Sequence, residues 1–102
     1  MKNLVKFKFD EKEGFLSVVA FDGKLYTLAQ KDTPKVKSIE TTHELLISTD
    51  VKNPNYQRTH VHVIYQKEII KNVYHALEAD NNLYFKQLDD SLCALEIFIT
   101  LN

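Results

Sequence analysis

The residues best suited to chemistry in this sequence stand at a predicted helix start. Thr33 can cap the helix, and Pro34 fits its first position because the ring fixes φ. Free amides at such a start carry the positive end of the helix dipole, and together with a hydroxyl and a nearby ammonium group they favour a phosphate. The lysines within reach are Lys31, Lys35 and Lys37. The same pattern is also typical of an ordinary capped helix with solvated lysines, so both interpretations stay open.

A pair of histidines is the second group that could do chemistry. His60 and His62 alternate along a predicted strand, so they share one of its faces, beside Arg58. Two imidazoles so placed could bind a metal or the anionic tail of a cofactor. The sequence shows no third ligand, so we predict no metal site and interpret this face as solvated or as an interface. His43 and His75 are predicted to be surface residues.

Residue counts exclude most other motifs. The chain has two glycines, Gly14 and Gly23, so neither GxGxxG nor a Walker phosphate loop can be written. Its four histidines do not form HExxH, and one cysteine is too few for a zinc finger or an intramolecular disulfide. Cys93 falls on the apolar face of the last predicted strand, which predicts a buried, inert thiol. No catalytic residue can be assigned from the sequence.

Composition limits the class of protein. With 102 residues, 44% of them hydrophobic, the chain predicts a single domain covering residues 1–102. Its 13 basic and 14 acidic residues give a net charge of −1, so we expect no nucleic-acid partner. No apolar run approaches the ~20 residues that span a bilayer, and the stretch from Met1 to Asp10 has no apolar leader segment. These observations predict a cytoplasmic protein without membrane contact.

The elements that must position these residues follow from hydrophobic periodicity. Helical spacing predicts two helices, from Thr33 to Thr42 and from Lys67 to Asp80, and Asp22-Gly23 predicts a tight turn between two strands. Alternating or continuous apolar runs predict six strands, the first at an edge and the second central: Leu4 to Asp10, Phe15 to Phe21, Lys24 to Ala29, His43 to Thr49, Arg58 to Tyr65 and Leu92 to Leu101. The order βββαββαβ predicts an α+β fold, mainly β with two helices, arranged as a small antiparallel barrel.

Three segments of the sequence carry a resemblance to a known family. They are Asp22-Gly23-Lys24-Leu25-Tyr26-Thr27, then Thr33-Pro34-Lys35-Val36 with Ile39, then Leu45-Leu46-Ile47-Ser48. In this order and spacing they resemble the pyridoxamine 5′-phosphate oxidase-like FMN-binding split-barrel family. The resemblance covers Phe15 to Leu101 and is strongest from Gly23 to Ser48.

The resemblance implies a homodimer with two flavin sites at the subunit interface, each built by both chains. Lys35 matches the family's phosphate-contacting lysine and Thr33 its serine. The strand end that lies beside the flavin is matched by Leu28, Ala29 and Gln30. The strand that runs along the isoalloxazine ring is matched by Ser17, Val18 and Val19. The expected cofactor is therefore FMN.

Two departures from the family pattern keep other functions open. Pro34 stands where an arginine commonly assists the phosphate, and the segment before Leu4 is too short for the helix that often precedes the barrel. The first hypothesis is an FMN-binding protein, an FMN-dependent oxidoreductase if it is an enzyme, because the flavin would carry the redox chemistry. The second is a non-catalytic split-barrel module that has lost flavin and binds another planar ligand, such as haem, or a protein partner. The third is an unrelated small α+β interaction domain.

Overall fold

A computed structural model describes residues 3–99 of the chain, which form seven strands and two helices. The strands are β1 (Leu4–Phe9), β2 (Lys12–Ser17), β3 (Val19–Phe21), β4 (Lys24–Gln30), β5 (Glu44–Ser48), β6 (Gln57–Ile64) and β7 (Leu92–Ile97). The helices are α1 (Pro34–Thr42), between β4 and β5, and α2 (Lys67–Ala79), between β6 and β7. No helix within the described range is long and apolar enough to cross a membrane.

The strands form one antiparallel sheet in the order β2-β1-β5-β6-β7-β4-β3. The two end strands, β2 and β3, are consecutive in the chain and separated only by Val18. The sheet therefore curls until its two ends meet at one bent segment, which closes a barrel. This arrangement confirms the predicted α+β fold with an antiparallel barrel and two helices.

The predicted strand from Phe15 to Phe21 was wrong in detail, because the chain breaks there into β2 and β3. The Val18 amide donates to the Asn3 carbonyl at 3.0 Å, and the Val18 carbonyl accepts from Asn82 Nδ2 at 3.4 Å. This segment lies at both ends of the sheet order and not in its centre, whereas β1, predicted at an edge, lies between β2 and β5. Phe15 and Phe21 are 58% and 39% exposed, so the segment is not covered on both faces as predicted.

Local signals in the sequence place the turns and the helices. Asp22 and Gly23 have φ of 50° and 79° between paired Phe21 and Lys24, as a two-residue hairpin turn requires. Thr33 caps α1, and Pro34 is its first residue.

The last strand ends at Ile97 and not at the predicted Leu101. Thr100 and Leu101 lie outside the described residues.

Two hydrophobic clusters stabilise the fold, one on each side of the β4–β7 pair. Inside the barrel, Val36 and Ile39 of α1 pack with Cys93, Leu95 and Ile97 of β7. Outside it, α2 packs its apolar face on β3, β4 and β7 through Ile70, Val73, Tyr74 and Leu77. The paired strands β4 and β7 are thus buried on both faces. The open site is formed instead by β1, β2 and the start of α1.

Candidate functional site

An open groove lies between β1, β2, the start of α1 and the segment after α2. It consists of two adjoining cavities of about 860 Å³ and 570 Å³, each within the size range of small-molecule sites. Four residues line both cavities and join them: Phe7, Lys35, Tyr84 and Phe85. We call the combined cavity the Phe7 groove.

The floor of the Phe7 groove depends on a glycine. Gly14 of β2 pairs directly with Phe7 of β1, and a Cβ added to Gly14 would lie 2.8 Å from Phe7 Cε1. Such a contact is too close for any side chain, so the phenyl ring occupies the space that the glycine leaves free. The register of the β1–β2 hairpin therefore sets where the ring lies in the groove.

Lys35 stands between the two cavities with an unusual set of neighbours. Its Nζ lies 4.2 Å from the centroid of the Phe7 ring, at the distance of a cation–π contact. Burial lowers the pKa of the Lys35 ammonium group, and the nearby Cys93 thiol opposes this effect. Within the described part of the chain no carboxylate forms an ion pair with it. A half-buried cation whose partner is an aromatic face is suited to an anionic ligand.

The Thr33 hydroxyl group caps the start of α1. Its hydroxyl donates to the Gln30 carbonyl at 2.9 Å and accepts from the Val36 amide at 3.4 Å. The Lys37 amide donates to the Thr33 carbonyl, and Pro34 has no amide proton. In this first turn, among residues 3–99, only the Lys35 amide is left without a partner. Any anion here would bind mainly through Lys35 and less through the helix amides.

Five of the residues implied by the resemblance line the Phe7 groove. Gln30 and Thr33 line the larger cavity, Ser17 and Leu28 line the smaller one, and Lys35 lines both. The other three, Val18, Val19 and Ala29, are 2%, 8% and 3% exposed and pack in the two hydrophobic clusters. Their side chains support the walls of the barrel and do not line either cavity.

Of the three aromatic residues that dominate the groove, the sequence pointed only to Tyr84, as one of four tyrosines that could stack on a flavin or fill the core. Phe7 was predicted only as a buried strand residue, and Tyr84 and Phe85 follow α2 in an extended segment without a motif. Their rings are 5.2 Å apart and nearly perpendicular, and Tyr84 is 81% exposed. Tyr84 lines the smaller cavity together with Leu4 and Phe15, which are also exposed, so the three side chains add apolar surface to the groove. Nothing in the sequence pointed to Phe7 or Phe85 as groove residues.

The charges around the larger cavity are mixed. Lys12, Lys35 and Lys86 line it together with Asp10 and Glu13. A hydrogen bond from Tyr56, followed by the charge of Lys6, holds the pKa of Glu13 below its usual range. Glu13 is thus paired with Tyr56 and Lys6, and within residues 3–99 it forms no ion pair with Lys35.

Comparisons with known proteins agree on the fold. No family model matches the chain, and no curated protein matches it. Among solved structures, a "Putative Pyridoxamine 5′-phosphate oxidase" from Listeria innocua superposes with a TM-score of 0.63 at 10% identity, over 94% of this chain and 81% of that one. A NimC/NimA family protein from Clostridium acetobutylicum superposes with a TM-score of 0.59 at 17% identity, over 93% and 70%.

These likenesses define the class of protein by fold. The chain is a small α+β protein with the split-barrel architecture of both solved structures. At 10% and 17% identity the likeness extends to the fold alone.

Proposed function

We propose that this protein binds FMN in the Phe7 groove, with the phosphate at Lys35. The observation that carries the proposal is the half-buried Lys35 ammonium group, which faces an aromatic ring and has no carboxylate partner among residues 3–99. The shared fold with a protein described as a pyridoxamine 5′-phosphate oxidase supports the choice of a phosphate-bearing cofactor.

The residues of the groove fit both ends of such a cofactor. At one end, an anionic phosphate would stabilise the charged form of the Lys35 ammonium group, which burial destabilises. At the other end, Phe15, Leu28 and Tyr84 offer apolar surface to a flat ring system, and Ser17 and Thr27 offer hydroxyl groups at its edge. Bound flavin would supply redox chemistry, so the chain would act as an oxidoreductase whose own residues bind and orient.

The proposal includes a homodimer, because the groove is open on a side that carries exposed apolar residues. Leu4, Phe15 and Tyr84 are 38%, 58% and 81% exposed, and all three line the smaller cavity. A second copy seated there would bury these side chains and close the groove over a ligand. A chain of 102 residues also gains stability from such burial because its own core is small.

A titration with two flavins tests the phosphate contact. One charge-assisted contact is worth roughly 1.5–3 kcal/mol, so Lys35→Ala should weaken FMN binding by about ten- to a hundredfold. Riboflavin, which has no phosphate, should bind the variant as it binds the unaltered protein. Fluorescence quenching of each flavin measures both affinities.

Lys37→Ala is the matched control, because Lys37 is exposed two residues further along the same helix. It should leave both affinities unchanged. An equal loss of FMN and riboflavin in Lys35→Ala would mean that Lys35 has a structural role only. Failure of both flavins to bind the unaltered protein would refute flavin binding.

One observation favours the second candidate, a split-barrel module that has lost flavin. Thr33 and Pro34 leave one free amide in the first turn of α1 among the described residues, so the helix start contributes little to phosphate binding. A planar ligand without a phosphate, such as haem, would need only the aromatic part of the groove. A haem titration followed at the Soret band separates this candidate from the first one.

A further inference from the structure

Three histidines meet on the outer face of the barrel, away from the Phe7 groove. His60 and His62 are exposed neighbours on β6, and His43 follows α1 with its ring 6.2 Å and 5.9 Å from theirs. Phe98 packs against both strand histidines, with ring centroids 4.9 Å and 5.1 Å away. None of these four side chains lines either cavity of the groove.

The two strand imidazoles point the same ring nitrogen at each other. His60 Nε2 and His62 Nε2 are 3.0 Å apart. Two nitrogen ligands bound to one metal ion at about 2.0–2.1 Å lie about 2.9 Å apart at a right angle and about 3.4 Å apart at the tetrahedral angle. In the metal-free chain this contact is a hydrogen bond in which one of the two nitrogens is the donor. Its length falls between the two values, so both nitrogens could bind one ion with little movement once that proton is released.

The second nitrogen of His62 faces a carboxylate. His62 Nδ1 lies 3.7 Å from Glu96 Oε1, and the Glu96 side chain is only 14% exposed. Tyr26 donates a 2.6 Å hydrogen bond to Glu96, and Lys24 Nζ lies 3.5 Å from the same carboxylate. This hydrogen bond, with burial, raises the pKa of Tyr26 to about 12.

A carboxylate behind a histidine is the usual support of a metal-binding imidazole. At 3.7 Å the contact is longer than a hydrogen bond, so a small shift of the ring toward Glu96 is needed to form one. That hydrogen bond would hold the proton on Nδ1 and leave the Nε2 lone pair free for the metal. The negative charge of Glu96 also offsets part of the charge of a cation. Two cations flank this group: Arg58 is paired with Glu44 at 3.0 Å, and Lys24, which is paired with Glu96, lies 4.9 Å from the centroid of the Phe98 ring. Glu96 therefore shares its charge between Lys24 and a bound ion.

The sequence predicts no metal site here because it shows no third ligand, but from this arrangement we infer that two imidazoles suffice: His60 and His62 form a binding site for a divalent transition metal, with Glu96 as its supporting carboxylate. The imidazole donors select Cu²⁺ or Zn²⁺ over Mg²⁺ or Ca²⁺, which prefer oxygen ligands. Within residues 3–99, no three His, Cys, Asp or Glu side chains are already grouped as a ligand set, so water completes the coordination. Cu²⁺ should bind more tightly than Zn²⁺ at such a site.

Calorimetric titration of the flavin-free protein with Zn²⁺, and in a separate series with Cu²⁺, tests the site. We expect one ion per chain, and His60→Ala and His62→Ala should each lower the affinity at least tenfold because each leaves a single imidazole. Glu96→Gln should lower it by about tenfold, as loss of a supporting carboxylate does. Electron paramagnetic resonance of the Cu²⁺ form should show two nitrogen ligands in the unaltered protein and one in either histidine variant.

His75→Ala is the matched control. His75 is exposed on α2 with Glu78 3.5 Å from its Nδ1, so it has the carboxylate but no second imidazole, and its loss should change nothing. Equal affinities in the His60 and His62 variants and the unaltered protein would overturn the site. Half an ion per chain would also overturn it, because the ion would then lie between two copies. Neither result depends on whether the Phe7 groove binds FMN.

Discussion

At the scale of single residues, Thr33 and Lys35 at the start of α1 differ in their hydrogen-bond partners. Thr33 accepts from the Val36 amide and donates to the Gln30 carbonyl, so its hydroxyl links the helix to the end of β4. Lys35 has no such partner and instead lies over the Phe7 ring. The sequence pattern is compatible with a phosphate site and with a capped helix, and the structure assigns Thr33 to the cap.

The cap makes a prediction about stability. Thr33→Ala removes both hydrogen bonds and should lower the free energy of unfolding by about 1 kcal/mol, the usual cost of losing a cap. Thr33→Ser keeps the hydroxyl and should restore most of that loss. Urea denaturation followed by circular dichroism measures both variants. Unchanged stability of Thr33→Ala would show that the cap contributes nothing.

At the scale of elements, the bend between β2 and β3 closes the barrel. Asn82, which is 4% exposed, donates from Nδ2 to the Asn3 carbonyl at 2.8 Å and to the Val18 carbonyl at 3.4 Å. It lies just after α2, so a single amide side chain connects the end of that helix to the first strand and to the bend. Asn81, with φ of 54°, turns the chain so that Asn82 can reach this position.

The hydrogen bonds of Asn82 predict that a single substitution there lowers the stability of the fold. Asn82→Ala would remove the side-chain donor of the buried Val18 carbonyl and leave the Asn3 carbonyl with only the Val18 amide, which costs about 1–3 kcal/mol of stability. Asn72→Ala is the control, because Asn72 is an exposed residue of α2. Chemical denaturation should give a lower midpoint for Asn82→Ala alone. Equal midpoints for the two variants would mean that other contacts hold the bend.

At the scale of the whole molecule, the barrel leaves one side incomplete. The side chains of Phe15 and Tyr84 lie at the rim of the Phe7 groove and are 58% and 81% exposed, although Lys6 Nζ lies 5.5 Å from the centroid of the Phe15 ring. The proposed second copy would turn this open groove into an enclosed site. Enclosure matters for the proposed chemistry because it excludes water and strengthens the contact between Lys35 and a phosphate.

The mass of the protein in solution tests the proposed homodimer directly. Light scattering at micromolar concentration should give about twice the chain mass of 11.9 kDa. Phe15→Asp places a charge among the apolar rim residues and should shift the mass toward that of one chain. A single-chain mass for the unaltered protein over a wide range of dilution would contradict the dimer and any site shared between copies.

The sequence alone determined the features of this protein that depend on near neighbours in the chain. Thr33 and Pro34 begin α1, Asp22 and Gly23 make a turn, and apolar residues at helical spacing define α2, because each of these acts within one or two turns of backbone. The resemblance to the split-barrel family implied that Lys35 and Thr33 belong to one flavin site; both line the groove, and their role in binding stays a prediction.

Only the tertiary structure decided which strands are neighbours and which side chains meet. Alternation with a period of two tells which face of a strand is buried but not which strand lies beside it, so the break at Val18 and the interior position of β1 were missed. Phe7 lies in the groove because it pairs with Gly14 and packs under Lys35. His62 meets Glu96, and Asn82 meets Asn3, across long separations in sequence. Such contacts arise from the closure of the barrel, and no local pattern encodes them.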